Sequence, residues 1–148
     1  VPDTTTLTTT WAPRLLSVLR IVAALIFLLH GTQKLFGLPP TANPPAAFAL
    51  TWFAAVIEFV CGGLMLLGLY TRPAAFLASG MMAFAYFIAH APRSVFPVLN
   101  GGDAAILYCF VFLYLAAAGA GPWSLDALRG PRRSPAADGG ARAAAASR

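Results

Sequence analysis

The chain has 148 residues, of which 59% are hydrophobic and only 10% charged, with a formal net charge of +5. A soluble domain carries roughly 25% charged residues, so a water-soluble globule of this composition would have to expose large apolar patches, which argues against a soluble enzyme. The basic excess does not mark a nucleic-acid surface either, because five of the ten basic residues, Arg129, Arg132, Arg133, Arg142 and Arg148, follow residue 128.

Crossing a bilayer takes about 20 mostly apolar residues. Four segments qualify, from about Ala12 to Phe36, Ala47 to Tyr70, Pro73 to Ala91 and Asp103 to Gly121. The expectation is an all-α integral membrane four-helix bundle over residues 12–128, preceded by an N-terminal segment (1–11) and followed by a disordered basic tail (129–148).

Arg14 and Arg20 before an apolar core also resemble a signal peptide. No Ala-x-Ala-like site follows Leu29, however, and His30-Gly31-Thr32-Gln33-Lys34 is unlike a cleavage region, so the first helix is expected to stay. The run Leu38-Pro39-Pro40-Thr41-Ala42-Asn43-Pro44-Pro45 cannot continue a helix and reads as a loop. Arg72-Pro73 places a proline where a third helix would start, making helices two and three a tight hairpin. Pro92, Pro97 and Asn100-Gly101-Gly102-Asp103 divide helices three and four, with Asp103 expected to cap the fourth. Gly119-Ala120-Gly121-Pro122 ends it.

With four spans both termini share one side. Arg14, Arg20, Arg72 and the five C-terminal arginines then stand opposite Lys34 and Arg93, and the positive-inside rule puts the termini in the cytoplasm. The basic tail has too little apolar patterning to fold and is expected near anionic lipid.

Ionisable residues within a span usually face the bundle interior and find a partner there. Glu58 lies mid-helix on a face with Thr51, Ala54, Ala55, Cys61, Gly62 and Met65, opposite Phe53, Val56, Val60, Leu64 and Leu67. The small-residue stripe permits close helix approach, so Glu58 is expected to point inward, either as a structural carboxyl or in binding and proton handling. The first helix lines up His30, Gln33 and Lys34, and the third Ser79, Ala83, Tyr86 and His90. These residues, with Arg93, Asn100 and Asp103, gather at the non-cytoplasmic end. At ~1.5 Å per residue, Glu58 lies roughly 16 Å into the second helix and His30 roughly 10 Å below the end of the first, within mutual reach.

His30, Glu58 and His90 are thus expected to form one polar pocket suited to the headgroup of a lipid-soluble ligand such as a quinone. In the competing reading, Lys34 and Arg93 are interfacial anchors and the histidines satisfy loop carbonyls. Two histidines on different helices could ligate haem, but both lie too near the helix ends to bury a macrocycle. Cys61 and Cys109 form no CxxC pair, and their depths differ by roughly 12 Å at ~1.5 Å per residue. Neither a disulfide nor a metal site is expected.

Taken in order, Leu29-His30-Gly31-Thr32-Gln33-Lys34-Leu35-Phe36-Gly37, Glu58 with Gly62-Gly63, Gly68-Leu69-Tyr70-Thr71-Arg72, His90, Asn100-Gly101-Gly102-Asp103 and Gly121-Pro122-Trp123-Ser124-Leu125-Asp126 resemble the DoxX family of small four-helix membrane proteins. The likeness spans roughly residues 14–128. It departs from the family at one point, with Ala120 at the usual proline position and the proline at Pro122.

The resemblance implies a bacterial inner-membrane protein, with relatives associated with thiosulfate:quinone oxidoreductase and with envelope redox or detoxification complexes. Matched by position, it implies that His30, Gln33, Lys34, Glu58, Arg72, His90 and Asn100 could serve a quinone, with Arg72, at the opposite end, first an anchor or turn residue. The chain lacks a nucleotide-binding glycine loop and a flavin site. The expected role is therefore a membrane subunit needing a redox partner protein, with no covalently bound cofactor and self-association left open. The alternative is a non-catalytic assembly or transport-like protein.

Overall fold

The computed structural model describes residues 3–42 and 46–130. The part of the Pro-rich loop at 43–45 and residues 131–148 of the basic tail expected over 129–148 lie outside the described residues. All regular structure among the described residues is helical: α1 (Thr4–Phe36), α2 (Leu50–Leu67), α3 (Thr71–His90), a short α4 (Pro97–Asn100), α5 (Asp103–Ala118) and a short α6 (Leu125–Leu128). The first three long helices are apolar and long enough to cross a membrane, whereas α5 is a shorter apolar helix of 16 residues. Large apolar side chains such as Val22, Phe53, Val60, Phe76, Leu107 and Phe110 cover the outside. A surface of that kind is stable only in lipid, and the protein is an all-α membrane protein built as a helical bundle.

Helix α1 begins at Thr4 rather than at Ala12. Asp3 caps it, its Oδ1 accepting from the Thr6 amide at 2.7 Å. Pro13 has no amide proton to give the preceding turn, and the wider π-type turn Leu7–Trp11 just before it absorbs the mismatch. Asp103, expected as the cap of α5, is its first helical residue and makes no capping bond with its side chain; Gly102 occupies the cap position. The Gly102 amide is held instead by Asn100 Oδ1 at 2.7 Å.

Small residues set the spacing of the bundle. A Cβ on Gly31 would lie 2.6 Å from the Phe59 nitrogen, and one on Gly62 would lie 2.9 Å from Leu28 Cα, so α1 and α2 touch backbone to backbone. On the other side, Ala74, Ala75 and Ala78 are buried at the α3 and α5 contact, where Ser79 Oγ donates to the Cys109 carbonyl at 2.8 Å. Between α1 and α5 the spacers are large. The Phe27 and Phe112 rings meet edge to face at 4.7 Å, and Tyr108 stacks on Phe112 at 5.3 Å. On α2, Ala55, Glu58, Cys61, Gly62 and Met65 are buried, whereas Thr51, at the start of the same stripe, is exposed. Both cysteines are free thiols.

One end of the bundle, called here the arginine end, is closed by charged side chains acting on backbone. Arg20 is completely buried. Its guanidinium donates from Nη1 to the carbonyls of Met65 and Leu66, from Nη2 to that of Trp123, and from Nε to that of Ala120 at 2.8 Å. One side chain thus satisfies the last carbonyls of α2 and pins the segment after α5, where no helical partner exists. Ala120 contributes only its carbonyl, which a proline would also supply, so the departure from the usual pattern leaves this contact intact. Arg72 does the same for α5, donating from Nη1 to the Ala116 carbonyl at 3.1 Å and the Ala117 carbonyl at 2.5 Å.

Asp126 completes the closure. Tyr70 stands in the left-handed region with φ 49° at the start of α3. Its amide and that of Thr71 each donate to one carboxylate oxygen of Asp126 at 2.9 Å, and the Asp126 amide returns a bond to the Gly68 carbonyl at 2.8 Å. Gly68 has φ 67°, and a Cβ there would lie 2.3 Å from Ser124 Cβ, so only glycine allows α6 to seat on the α2–α3 turn.

Burial alone would raise the Asp126 pKa, but the Thr71 and Tyr70 amides and the charge of Arg129 outweigh it and hold the carboxyl below its ordinary 3.8. A depressed folded-state value means that the stabilisation is complete above the unfolded pKa and is lost as pH falls through the folded one. In thermal melts of detergent-solubilised protein, Tm should therefore fall with acidification below about pH 4, and less steeply in Asp126→Asn. Arg20→Leu should cost about 3–5 kcal/mol, because it strands the carbonyls of Leu66, Ala120 and Trp123, which no other donor reaches among the described residues; the same melts measure it.

Candidate functional site

At the opposite end, called here the histidine end, the polar residues expected to gather fall into separate groups. Gly31 brings α2 against α1, and Lys34, three residues further along α1, then lies beside Glu58. Lys34 Nζ and Glu58 Oε1 form an ion pair at 2.6 Å. The lysine side chain is 34% exposed and the glutamate side chain 4%. The second carboxylate oxygen, Oε2, is buried with no hydrogen-bond partner among the described residues. This asymmetry distinguishes the pair from a surface ion pair: one partner reaches outward while the other holds an unspent acceptor inside.

His30 is on the outside of the same helix. Its Nδ1 pairs with the Ile26 carbonyl of its own helix at 2.8 Å, and its ring meets that of Tyr108 on α5 at 6.5 Å, nearly perpendicular. Gln33 Nε2 donates to the Pro40 carbonyl at 3.4 Å, tethering the start of the loop after α1. His90 sits at the end of the π-type turn Tyr86–His90 that closes α3. It stacks on Tyr86 at 6.4 Å, and its Nδ1 pairs with the Asn100 carbonyl at 3.1 Å.

Asn100 is itself 3% exposed and is fully used by the turn. Its Nδ2 donates to the Ser94 carbonyl at 2.8 Å while its Oδ1 accepts from Gly102. The structure thus joins Lys34 to Glu58 and His90 to Asn100. Among the described residues no hydrogen bond or ring contact joins His30, Glu58 and His90 to one another. Nor do any three His, Cys, Asp or Glu side chains among them come together as a metal-binding group.

Sequence reasoning overlooked four residues that shape these sites. Arg20 was read as a topology charge, although it falls on the buried stripe Ser17, Ala24, Phe27, Gly31 of α1; that helical register was the available signal. Asp126 was read only as part of a motif, and Tyr108 was not singled out, because ring contacts between helices have no signature in spacing. Gly31 was read within a motif, yet its contribution is the close approach that puts Lys34 and Glu58 within bonding distance.

Two cavities accompany these groups. One of about 730 Å3 opens at the arginine end, walled by Arg72, Asp126 and Arg129. The other, about 470 Å3, is an apolar groove between α2 and α3 lined by residues such as Phe53, Ile57, Leu77 and Phe84.

Comparison with known proteins agrees with the motif reading. Residues 15–91 match the DoxX family. A Haemophilus influenzae protein named "Uncharacterized protein" is 43% identical over 122 residues, covering 78% of this chain and 91% of that relative. No solved structure matches the chain. With a family match over more than half its length, a relative 43% identical over 78% of the chain and an apolar-surfaced helical bundle, the chain belongs to the DoxX family and is a multi-pass protein of the inner membrane.

Proposed function

We propose that this protein is the membrane subunit of a quinone-linked redox or envelope detoxification system, and that the Lys34–Glu58 pair receives the polar head of the quinone. One observation carries the reading: a carboxylate 3% exposed places one oxygen on Lys34 and leaves the other without a donor. An unsatisfied buried polar group costs about 1–3 kcal/mol, so a bound ligand that brings a donor to Oε2 would recover that cost.

The donor set fits a quinone. A quinone presents carbonyls that accept hydrogen bonds, and a hydroquinone presents hydroxyls that donate them. Lys34, half in and half out, can donate to the first, and Glu58 Oε2 can accept from the second. His30 stands on the same helix four residues before Lys34, with Tyr108 beside it, and supplies a second titratable group for proton exchange with the aqueous phase. A bound quinone would supply the redox chemistry, and a partner protein the electrons. The chain's own part is to hold the head and to accept or release protons at Glu58 Oε2.

In this reading the chain crosses the membrane four times with both termini in the cytoplasm. With the buried Arg20 set aside, seven basic residues (Arg14, Arg72, Arg129, Arg132, Arg133, Arg142 and Arg148) against two (Lys34 and Arg93) support that orientation. Helix α5, at about 24 Å, comes close to spanning a hydrocarbon core of about 30 Å. The histidine end then faces away from the cytoplasm. His90 and Asn100 act by fixing the turn between α3 and α5 that closes this end.

The pair can be tested in purified protein with a quinone analogue. Glu58→Gln and Lys34→Met should each weaken binding about tenfold, the scale of one charge-assisted hydrogen bond, with the fold retained. Unchanged affinity combined with a stability loss of about 3–5 kcal/mol would make the pair a structural lock and favour the non-catalytic assembly or transport-like role.

A further inference from the structure

The cavity at the arginine end has no part in the quinone reading, and its chemistry differs from that of the histidine end. We propose that it is a binding site for a phosphate anion, of the kind presented by an anionic phospholipid headgroup. The first argument is charge. Three guanidinium groups converge on this end of the bundle: Arg72 and Arg129 line the cavity, and Arg20 lies immediately behind its wall, bonded to the Ala120 carbonyl. Among the described residues the one carboxylate in the wall is Asp126, and both of its oxygens are taken up by the amides of Tyr70 and Thr71. Three positive groups against one negative leave this end with an excess of positive charge next to a low-dielectric phase, where an uncompensated charge is most costly.

The second argument is the supply of donors. Among the described residues Arg72 bonds the last carbonyls of α5 through Nη1 and Nη2, and its Nε–H makes no hydrogen bond to any of them. Arg129 donates no hydrogen bond among the described residues. Its guanidinium is held over the Tyr70 ring, 5.1 Å from the centroid, which orients it without consuming its N–H groups. Two guanidiniums with unspent donors lining one recess offer the N–H groups by which arginine holds phosphate oxygens.

The third argument is size and place. At about 730 Å3 the recess falls within the range of small-molecule sites, ~300–1,000 Å3, and can admit a glycerophosphate head. It opens where α2 and α5 end and α3 begins, and the ends of membrane-spanning helices are where lipid headgroups are met. Gly119, with φ 95°, keeps the wall thin: a Cβ there would stand 3.2 Å from Arg72 Nη2 and crowd the guanidinium. A phosphate here would neutralise the excess charge and brace α6 against the α2–α3 turn. The inference is independent of which side of the membrane this end occupies.

The test uses the full chain in nanodiscs and in detergent. Native mass spectrometry should show phosphatidylglycerol retained over phosphatidylcholine, and phosphatidylglycerol should raise Tm. Arg129→Gln should reduce the preference about tenfold, the loss of one bidentate contact. Arg14→Gln, at the same end but packed on Trp11 outside the cavity, should leave it unchanged.

Inorganic phosphate alone, at millimolar concentration, separates the two sources of the anion. Stabilisation by it that is lost in Arg129→Gln supports the site and identifies free phosphate as a ligand, whereas stabilisation by phosphatidylglycerol only supports the site and identifies the headgroup. Equal retention of both lipids with no effect of phosphate would overturn the proposal. So would an equal loss in Arg14→Gln and Arg129→Gln, since the preference would then be diffuse surface charge.

Discussion

A fully buried guanidinium is the element on which the rest of this bundle depends. In hydrocarbon no water can take the carbonyls left over at a helix C-terminus, and each must find a donor inside the protein. Arg20 answers that requirement for α2 and, with the same planar group, captures the Ala120 and Trp123 carbonyls beyond α5. Arg72 answers it for α5. Because these donors come from helices other than those they cap, satisfying the backbone and fixing the tertiary arrangement are one event. The charge itself is a burden in such a place, and it is tolerated because four of the five N–H groups of the guanidinium meet carbonyls.

The two ends of the molecule use polar groups differently. At the arginine end the bonds of Arg20 and Asp126 are spent on backbone, which closes the structure. At the histidine end Asn100 and Gln33 do similar work on the turns, but Glu58 does not: one of its oxygens remains unspent. Among the described residues two buried side-chain oxygens lack a partner, Glu58 Oε2 and Thr71 Oγ1 at the opposite end, and the quinone reading rests on the first, the one that belongs to a carboxylate. The route by which the fold produces it is short. Gly31 removes a side chain, α2 closes on α1, and a lysine near the surface is drawn onto a carboxylate within the bundle.

How the helices approach decides which partners the polar residues of the histidine end bond. His30, Glu58 and His90 lie at compatible heights, and height was all that counting residues along each helix could supply. Azimuth decided the partners. The backbone contact through Gly31 and Gly62 turns Lys34 toward Glu58, while His30, one position before Gly31, is turned outward toward Tyr108. The π-type turn at Tyr86–His90 sets His90 over the Asn100 loop. The helix breaks after Phe36 and at Gly119 are by contrast legible, because glycine and proline act through local backbone geometry that does not depend on neighbours, whereas the second helix, expected to run to Tyr70, ends at Leu67 with Gly68 in the left-handed region.

The sequence by itself determined that this is a membrane protein, where its long apolar helices run, that Glu58 belongs to a buried face, and which family it belongs to. All of these follow from composition, period and ordered motifs, which are properties of one segment at a time. Only the tertiary structure decided that Arg20 is a buried clasp rather than a topology charge, that Asp126 holds the α2–α3 turn, and that Lys34 is the partner of Glu58. Those facts depend on which carbonyl, amide or carboxylate a long side chain meets across a helix interface. That meeting is set by interhelical distances that glycine, alanine and phenylalanine fix jointly, and no single stretch of the chain contains it.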